Sequence, residues 1–147
     1  MTSTDDNTDG IDGIGGRAEG AGQAGEDAEA VRRAEAGTGG WEDAVRLQRW
    51  ATPDHADFYA LAGEMVATLR ALDDLARLLH TQVGGYARTQ QDRGRRLYDD
   101  TRQVDPAERL RTAVIALQEL RSGASTAADW ANTFWSAIGH IGTEVTP

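Results

Sequence analysis

Counting in sevens from Phe58 reaches Met65, Leu72, Leu79 and Tyr86, and counting alternately by three and four from Leu110 reaches Ala113, Leu117, Leu120, Ala124, Ala127, Ala131, Phe134, Ile138 and Ile141. Apolar residues at these intervals lie on one stripe of an α-helix and on neither face of a strand. The pattern therefore predicts two long amphipathic helices and an all-α fold.

The first helix is expected over about 53 to 87. Its seam is Phe58, Leu61, Met65, Leu72, Leu75, Leu79 and Tyr86, and Arg70 with Asp74 and Asp73 with Arg77 are paired four apart on its polar side. Thr52-Pro53-Asp54 precedes it, with Thr52 as the cap and proline in the first turn. Leu69, Leu72, Leu75 and Leu78 step by three and sweep about half the helix circumference, more than one partner helix covers. Gly84-Gly85 is expected to end the helix, and Arg88 to Val104 forms a connection without apolar period.

Asp105-Pro106-Ala107-Glu108 reads as a capping box that starts the second long helix. The three-four phase passes through Ser122-Gly123-Ala124-Ser125 without a slip, so one helix of ~34 residues is expected, ~50 Å long at 1.5 Å per residue. Folding about the connection makes an antiparallel hairpin. Phe58 and Tyr59 then fall opposite Phe134 and Trp135, with Trp130 close by and Trp41 and Trp50 at the same end.

The rest of the chain offers little to a core. Residues 1–40 hold ten of the 17 glycines, no aromatic residue and no leucine, and nine acidic residues against three arginines give them −6 of the chain's net −9. A stretch this polar does not offset its ordering entropy and reads as a disordered acidic leader. Glycines 37, 39 and 40 then precede a short helix, Trp41 to Ala51, with acids in its first turn and arginines near its end. The expected domain layout is thus a leader, 1–40, and a helical-hairpin bundle domain, 41–147.

Composition excludes several chemistries. All 15 basic residues are arginine, so no lysine is present to act as a base, form a Schiff base or complete a phosphate loop. There is no cysteine, hence no disulfide, thiolate nucleophile or thiolate zinc site. No apolar run approaches the ~18 residues that span a bilayer and no signal-peptide pattern opens the chain, so a cytoplasmic location without membrane contact is expected.

Three constellations bear on function. His55 and His140 fall at one end near Asp54, Asp57 and Glu144 and are the only candidates for a metal or acid–base pair. They lack the spacing of a recognised zinc motif, so neither a metal nor a cofactor is expected. Arg88, Arg93, Arg95, Arg96 and Arg102 crowd the connection as in short nucleic-acid-binding arms. Asp92, Asp99, Asp100 and Asp105 offset them and the chain is acidic overall, so no nucleic-acid partner is expected. Trp130, Leu78, Val66 and Ile115 stand off the expected seam and are the candidate partner-binding residues, forming with Val114 a second apolar strip.

The blocks FYALAGEMVATLRALDDLARLL (58–79), LYDDTR (97–102) and FWSAIGHIG (134–142) are similar to a group of small actinobacterial helical proteins with no assigned activity. The plan and size also resemble the WXG100 helical hairpins, a likeness that implies export. Here a long arginine-rich connection stands where those proteins have Trp-x-Gly, and Tyr98 is followed four places on by Arg102 instead of an acid. The expected function is a non-enzymatic protein–protein interaction module that binds a protein partner or itself as a homodimer. The alternatives are a WXG100-like exported hairpin, an accessory nucleic-acid binder using Arg88 to Arg102, and a small-ligand or metal-binding enzyme at the aromatic end.

Overall fold

A computed structural model describes the backbone of residues 19–142 and the side chains of residues 29–142. It contains α1 (Glu19–Gln48), α2 (His55–Asp92) and α3 (Pro106–Gly139), and no strand among the described residues. The protein is all-α. Two compact units divide at Thr52/Pro53.

In the first unit, α1 crosses the expected boundary at residue 40. The helix runs from Glu19 through Gly37, Gly39 and Gly40 to Gln48 without a break. A glycine ends a helix when it takes the left-handed conformation, and among the described glycines only Gly94 has a positive φ. Within a helix each glycine costs about 1 kcal/mol relative to alanine and does not stop it. The part of the expected disordered leader at 19–40 is therefore helical, while residues 1–18 lie outside the described residues. Local ion pairs support α1: Glu29 holds Arg32 and Arg33, and Asp43 holds Arg46 at 2.8 Å. Val31, Val45 and Leu47 are all exposed, so within 29–48 α1 buries none of its large aliphatic side chains.

In the second unit, Asp54 and not Thr52 caps α2. Its extended backbone (φ −131°, ψ 137°) lets Oδ1 accept from the Ala56 amide at 3.3 Å. Pro53 stays outside the helix, which starts at His55. The helix then passes Gly84-Gly85 and ends at Asp92. Gly94 (φ 66°) closes it as the Arg95 amide donates to Gln90 O at 2.8 Å and the Gly94 amide to Gln91 O at 2.9 Å. This is the Schellman pattern. The Asp105 carboxylate accepts from Ala107 N at 2.9 Å with Pro106 in the first turn, and α3 continues through Gly123 to Gly139.

Residues of α2 and α3 meet in descending order. His55 Nε2 lies 2.5 Å from Ile138 O, the Tyr59 and Trp135 rings are 5.5 Å apart and tilted by 52°, and Arg121 Nε donates to Asp73 at 3.0 Å. Tyr59 and Asp73 are fourteen residues apart, as are Trp135 and Arg121, so the two helices keep step over four turns.

The seam between them is not the leucine stripe. On α2 it runs through Ala62, Val66, Leu69, Asp73, Ala76, His80, Val83 and Gln90; on α3 it runs through Leu117, Arg121, Ala124, Ala128, Ala131, Trp135 and Ile138. Alanine at five of these positions lets the backbones approach closely, and close approach is what excludes leucine. Met65, Leu72, Leu75, Leu79 and Tyr86 on α2, Leu120 and Phe134 on α3, and Ile141 just beyond it, are exposed instead. Among the described residues Val66 is the only large side chain that is fully buried.

Candidate interaction face

An α-helix advances about 100° per residue, so residues on either flank of the seam belong to opposite faces of the α2–α3 pair. One flank is polar. Arg70, Asp73 and Asp74 from α2 line a shallow groove together with Ser125, Asp129 and Asn132 from α3, which shows that these flanks share one side. Arg77, paired with Asp74 at 3.1 Å, continues it.

The leucines lie on the other flank of the same seam, about 100° round each helix from its centre. On α2 these positions are Leu61, Met65, Thr68, Leu72, Leu75, Leu79 and Tyr86; on α3 they are Ala113, Ala116, Leu120, Gly123, Ala127, Trp130 and Phe134. None carries a charge. Because α2 and α3 run in opposite senses, flanks on the same rotational side of the two seams emerge on one face, opposite the Arg70–Asn132 groove. Leu72 is 49% exposed and Leu75 45%, half of each side chain lying against its own helix and half against solvent.

The expected partner-binding residues separate in the structure. Trp130 is 71% exposed at the outer edge of this face, and Leu78 and Ile115 are exposed on the backs of their helices. Val66 is 2% exposed and stands in the seam, so it presents nothing to a partner; the expected strip running through it is corrected to one running through Leu72 and Leu75. Val114, expected beside it, is half-buried. The displacement has a simple origin: Val66 directly follows Met65, and one residue of rotation moves a side chain from the open face to the contact.

The histidines acquire structural roles. His55 is half-buried, and its Nε2 makes the contact with Ile138 O, which requires that nitrogen to carry the proton and withholds its lone pair from a metal. The backbone amide of His140 caps α3 by donating to Ala137 O at 3.3 Å. No cluster of three or more metal-ligating side chains occurs among the described residues. Beside them, Tyr59, Asn132, Trp135, Ser136, Gly139 and His140 line an open hollow. Trp135 Nε1 is buried there without an acceptor, packed against Gly63, where an added Cβ would lie 3.9 Å from it.

The connection is organised by Asp99, which residue spacing did not single out. Its carboxylate accepts from Thr101 Oγ1, from the Gln103 amide at 3.0 Å, from the Val104 amide at 3.3 Å and from Arg109 Nε at 3.1 Å. Thr101 first, then the Gln103 amide, hold the carboxyl down at about 2. The only sequence signal is an Asp-x-Thr turn motif. Arg88 lies on α2, while Arg93, Arg95, Arg96 and Arg102 lie exposed around this clasp. Arg102 adopts a left-handed φ of 55° as the chain turns back toward α3. Nor did the sequence assign Asp73 to Arg121 or Asp74 to Arg77; it paired Asp73 with Arg77 and Arg70 with Asp74.

No described helix is long and apolar enough to cross a membrane. No family model, curated protein or solved structure matches this chain.

Proposed function

We propose that this protein is a non-enzymatic helical interaction module: an antiparallel hairpin of two long helices, preceded by a further helix, that receives a helical protein on the leucine face. The observation that carries this reading is the division of labour along α2. The alanines and Val66 are spent on the partner helix within the chain, and Met65, Leu72, Leu75 and Leu79 stand open beside them. Taking roughly 150–250 Å² for each large apolar residue, the open side chains of this face expose on the order of 700 Å². That exceeds the ~300–600 Å² of the largest patch on a typical monomer and approaches the ~800 Å² per partner of a standard interface. Two helices whose only fully buried large side chain is one valine also hold little core of their own, so covering this face adds stability as well as affinity.

Photo-crosslinking in the cell that makes the protein tests the reading. A photoreactive residue at Leu75 or Phe134 is expected to give protein adducts, whereas the same residue at Arg70 or Asn132 on the polar face is expected to give none. Absence of adducts from the leucine face, or equal labelling of both faces, would overturn it.

A further inference from the structure

We infer that the occupant of the leucine face is a second copy of this chain, joined about a two-fold axis parallel to the helices, so that α2 of each copy lies over α3 of the other. This rests on the reading of that face as a protein-binding surface. It follows from the relief of the face. Asp73 is level with Arg121 and Tyr59 with Trp135, which sets Leu72 about level with Gly123, Leu75 with Leu120, Leu79 with Ala116 and Met65 with Trp130. At the levels of Leu72 and Leu79 the large side chain thus stands on α2 where α3 offers glycine or alanine, while at the level of Leu75 both helices present leucine. A two-fold axis along the bundle keeps heights unchanged and exchanges the helices, so Leu72 and Leu79 of each copy enter the hollows at Gly123 and Ala116 of the other, and Leu75 packs on Leu120 between them.

Three further observations favour a second copy over an unrelated helix. From Leu61 to Leu79 on α2 and from Ala113 to Phe134 on α3 the face carries no charge, so nothing there selects an oppositely charged partner. Its area of on the order of 700 Å² per copy is what a standard two-protein interface buries on each side. The arrangement makes every neighbouring pair of helices antiparallel, the geometry of a four-helix bundle with short-range packing between all neighbours. An axis across the helices would also give antiparallel neighbours, but it would set α2 on α2, with Leu72, Leu75 and Leu79 meeting each other and Gly123 meeting Gly123's own helix.

The full chain has no cysteine, which makes the test direct. Light scattering or sedimentation of the wild-type protein across about 1–200 μM is expected to give twice the chain mass, and Leu75→Glu is expected to weaken the association at least about tenfold while the far-ultraviolet spectrum stays helical. Should Leu75→Glu fail to fold, Gly123→Leu, which fills the hollow without adding charge, is expected to weaken the dimer in the same way. Mixing Leu72→Cys protein with Gly123→Cys protein under mild oxidation is expected to give a mixed disulfide-linked dimer in preference to either self-linked species. A monomeric mass throughout, or self-linked Leu72→Cys dimers without the mixed species, would overturn the inference. In the crosslinking experiment, adducts at Leu75 with the mass of a different protein would overturn the second copy and leave the face a binding surface; no adducts would end both readings.

Discussion

The Asp73 carboxylate accepts from the Arg121 guanidinium at 3.0 Å across α2 and α3, in the middle of a seam made mostly of alanine and aliphatic side chains. Both side chains are about one-third exposed, so water screens the pair and its net contribution is about 1 kcal/mol or less. Its larger effect is on alignment: it fixes the step between the helices, and with it which residues of the leucine face stand level. Replacing both by Leu and Met in a double-mutant cycle is expected to show a coupling of about 0.5–1 kcal/mol by urea denaturation. Coupling indistinguishable from zero would mean that the alanine packing alone sets the step.

Acid should loosen the connection before the helices. The folded-state value of Asp99, about 2, lies below the ordinary carboxylate value of about 3.9 that applies when the chain is unfolded. The clasp therefore contributes its full stabilisation above about pH 4 and loses it as pH falls through about 2. Hydrogen exchange is expected to show the Gln103 and Val104 amides losing protection in that window, and Asp99→Asn is expected to remove the pH dependence.

Ala62 is fully buried where the helices touch. Ala62→Leu is expected to cost about 1–3 kcal/mol by forcing the backbones apart, whereas Leu72→Ala, on the open face, should change the stability of the dissociated chain by less than about 0.5 kcal/mol. Thermal melts at low micromolar concentration, where association contributes least, separate the two. A larger loss at Leu72 than at Ala62 would show the seam to be misplaced.

Gly85 lies inside α2 with open space where a Cβ would stand. Gly85→Ala is expected to raise stability by about 0.5–1 kcal/mol, because alanine loses less backbone freedom on entering the helix. A lower melting temperature would place that position against something else in the folded assembly.

Self-association, finally, should strengthen with salt. Each chain carries a net −9 while the leucine face is uncharged, so the electrostatic part of the encounter is repulsive at a distance and screening removes it. Sedimentation at about 20 and 500 mM salt is expected to show tighter association at the higher value. Weakening with salt would point to ion pairs at the interface.

The amino-acid sequence by itself determined the elements that local chemistry controls. Asp105-Pro106 starts α3 because an acid before proline satisfies free amides where proline has none to offer, and the apolar phase through Ala124 carried α3 past Gly123 because one glycine costs less than the contacts on either side return. It also carried the candidate face in outline: the leucine sweep from Leu69 to Leu78 exceeds what one helix covers, and Leu72, Leu75 and Leu78 are indeed open. Only the tertiary structure decided which stripe meets which. Leucine every seven residues marks a sticky line, but two helices approach most closely along alanine, and a line through Ala62, Val66 and Ala76 looks unremarkable in a pattern weighted by hydrophobic size. The rotation of α2 that follows, about one residue, turned the expected seam into the open face and Val66 from an anchor into core. Asp99 stayed hidden for a related reason: its partners, Thr101, Gln103, Val104 and Arg109, converge on it only once the chain has turned through the left-handed Arg102 and entered α3.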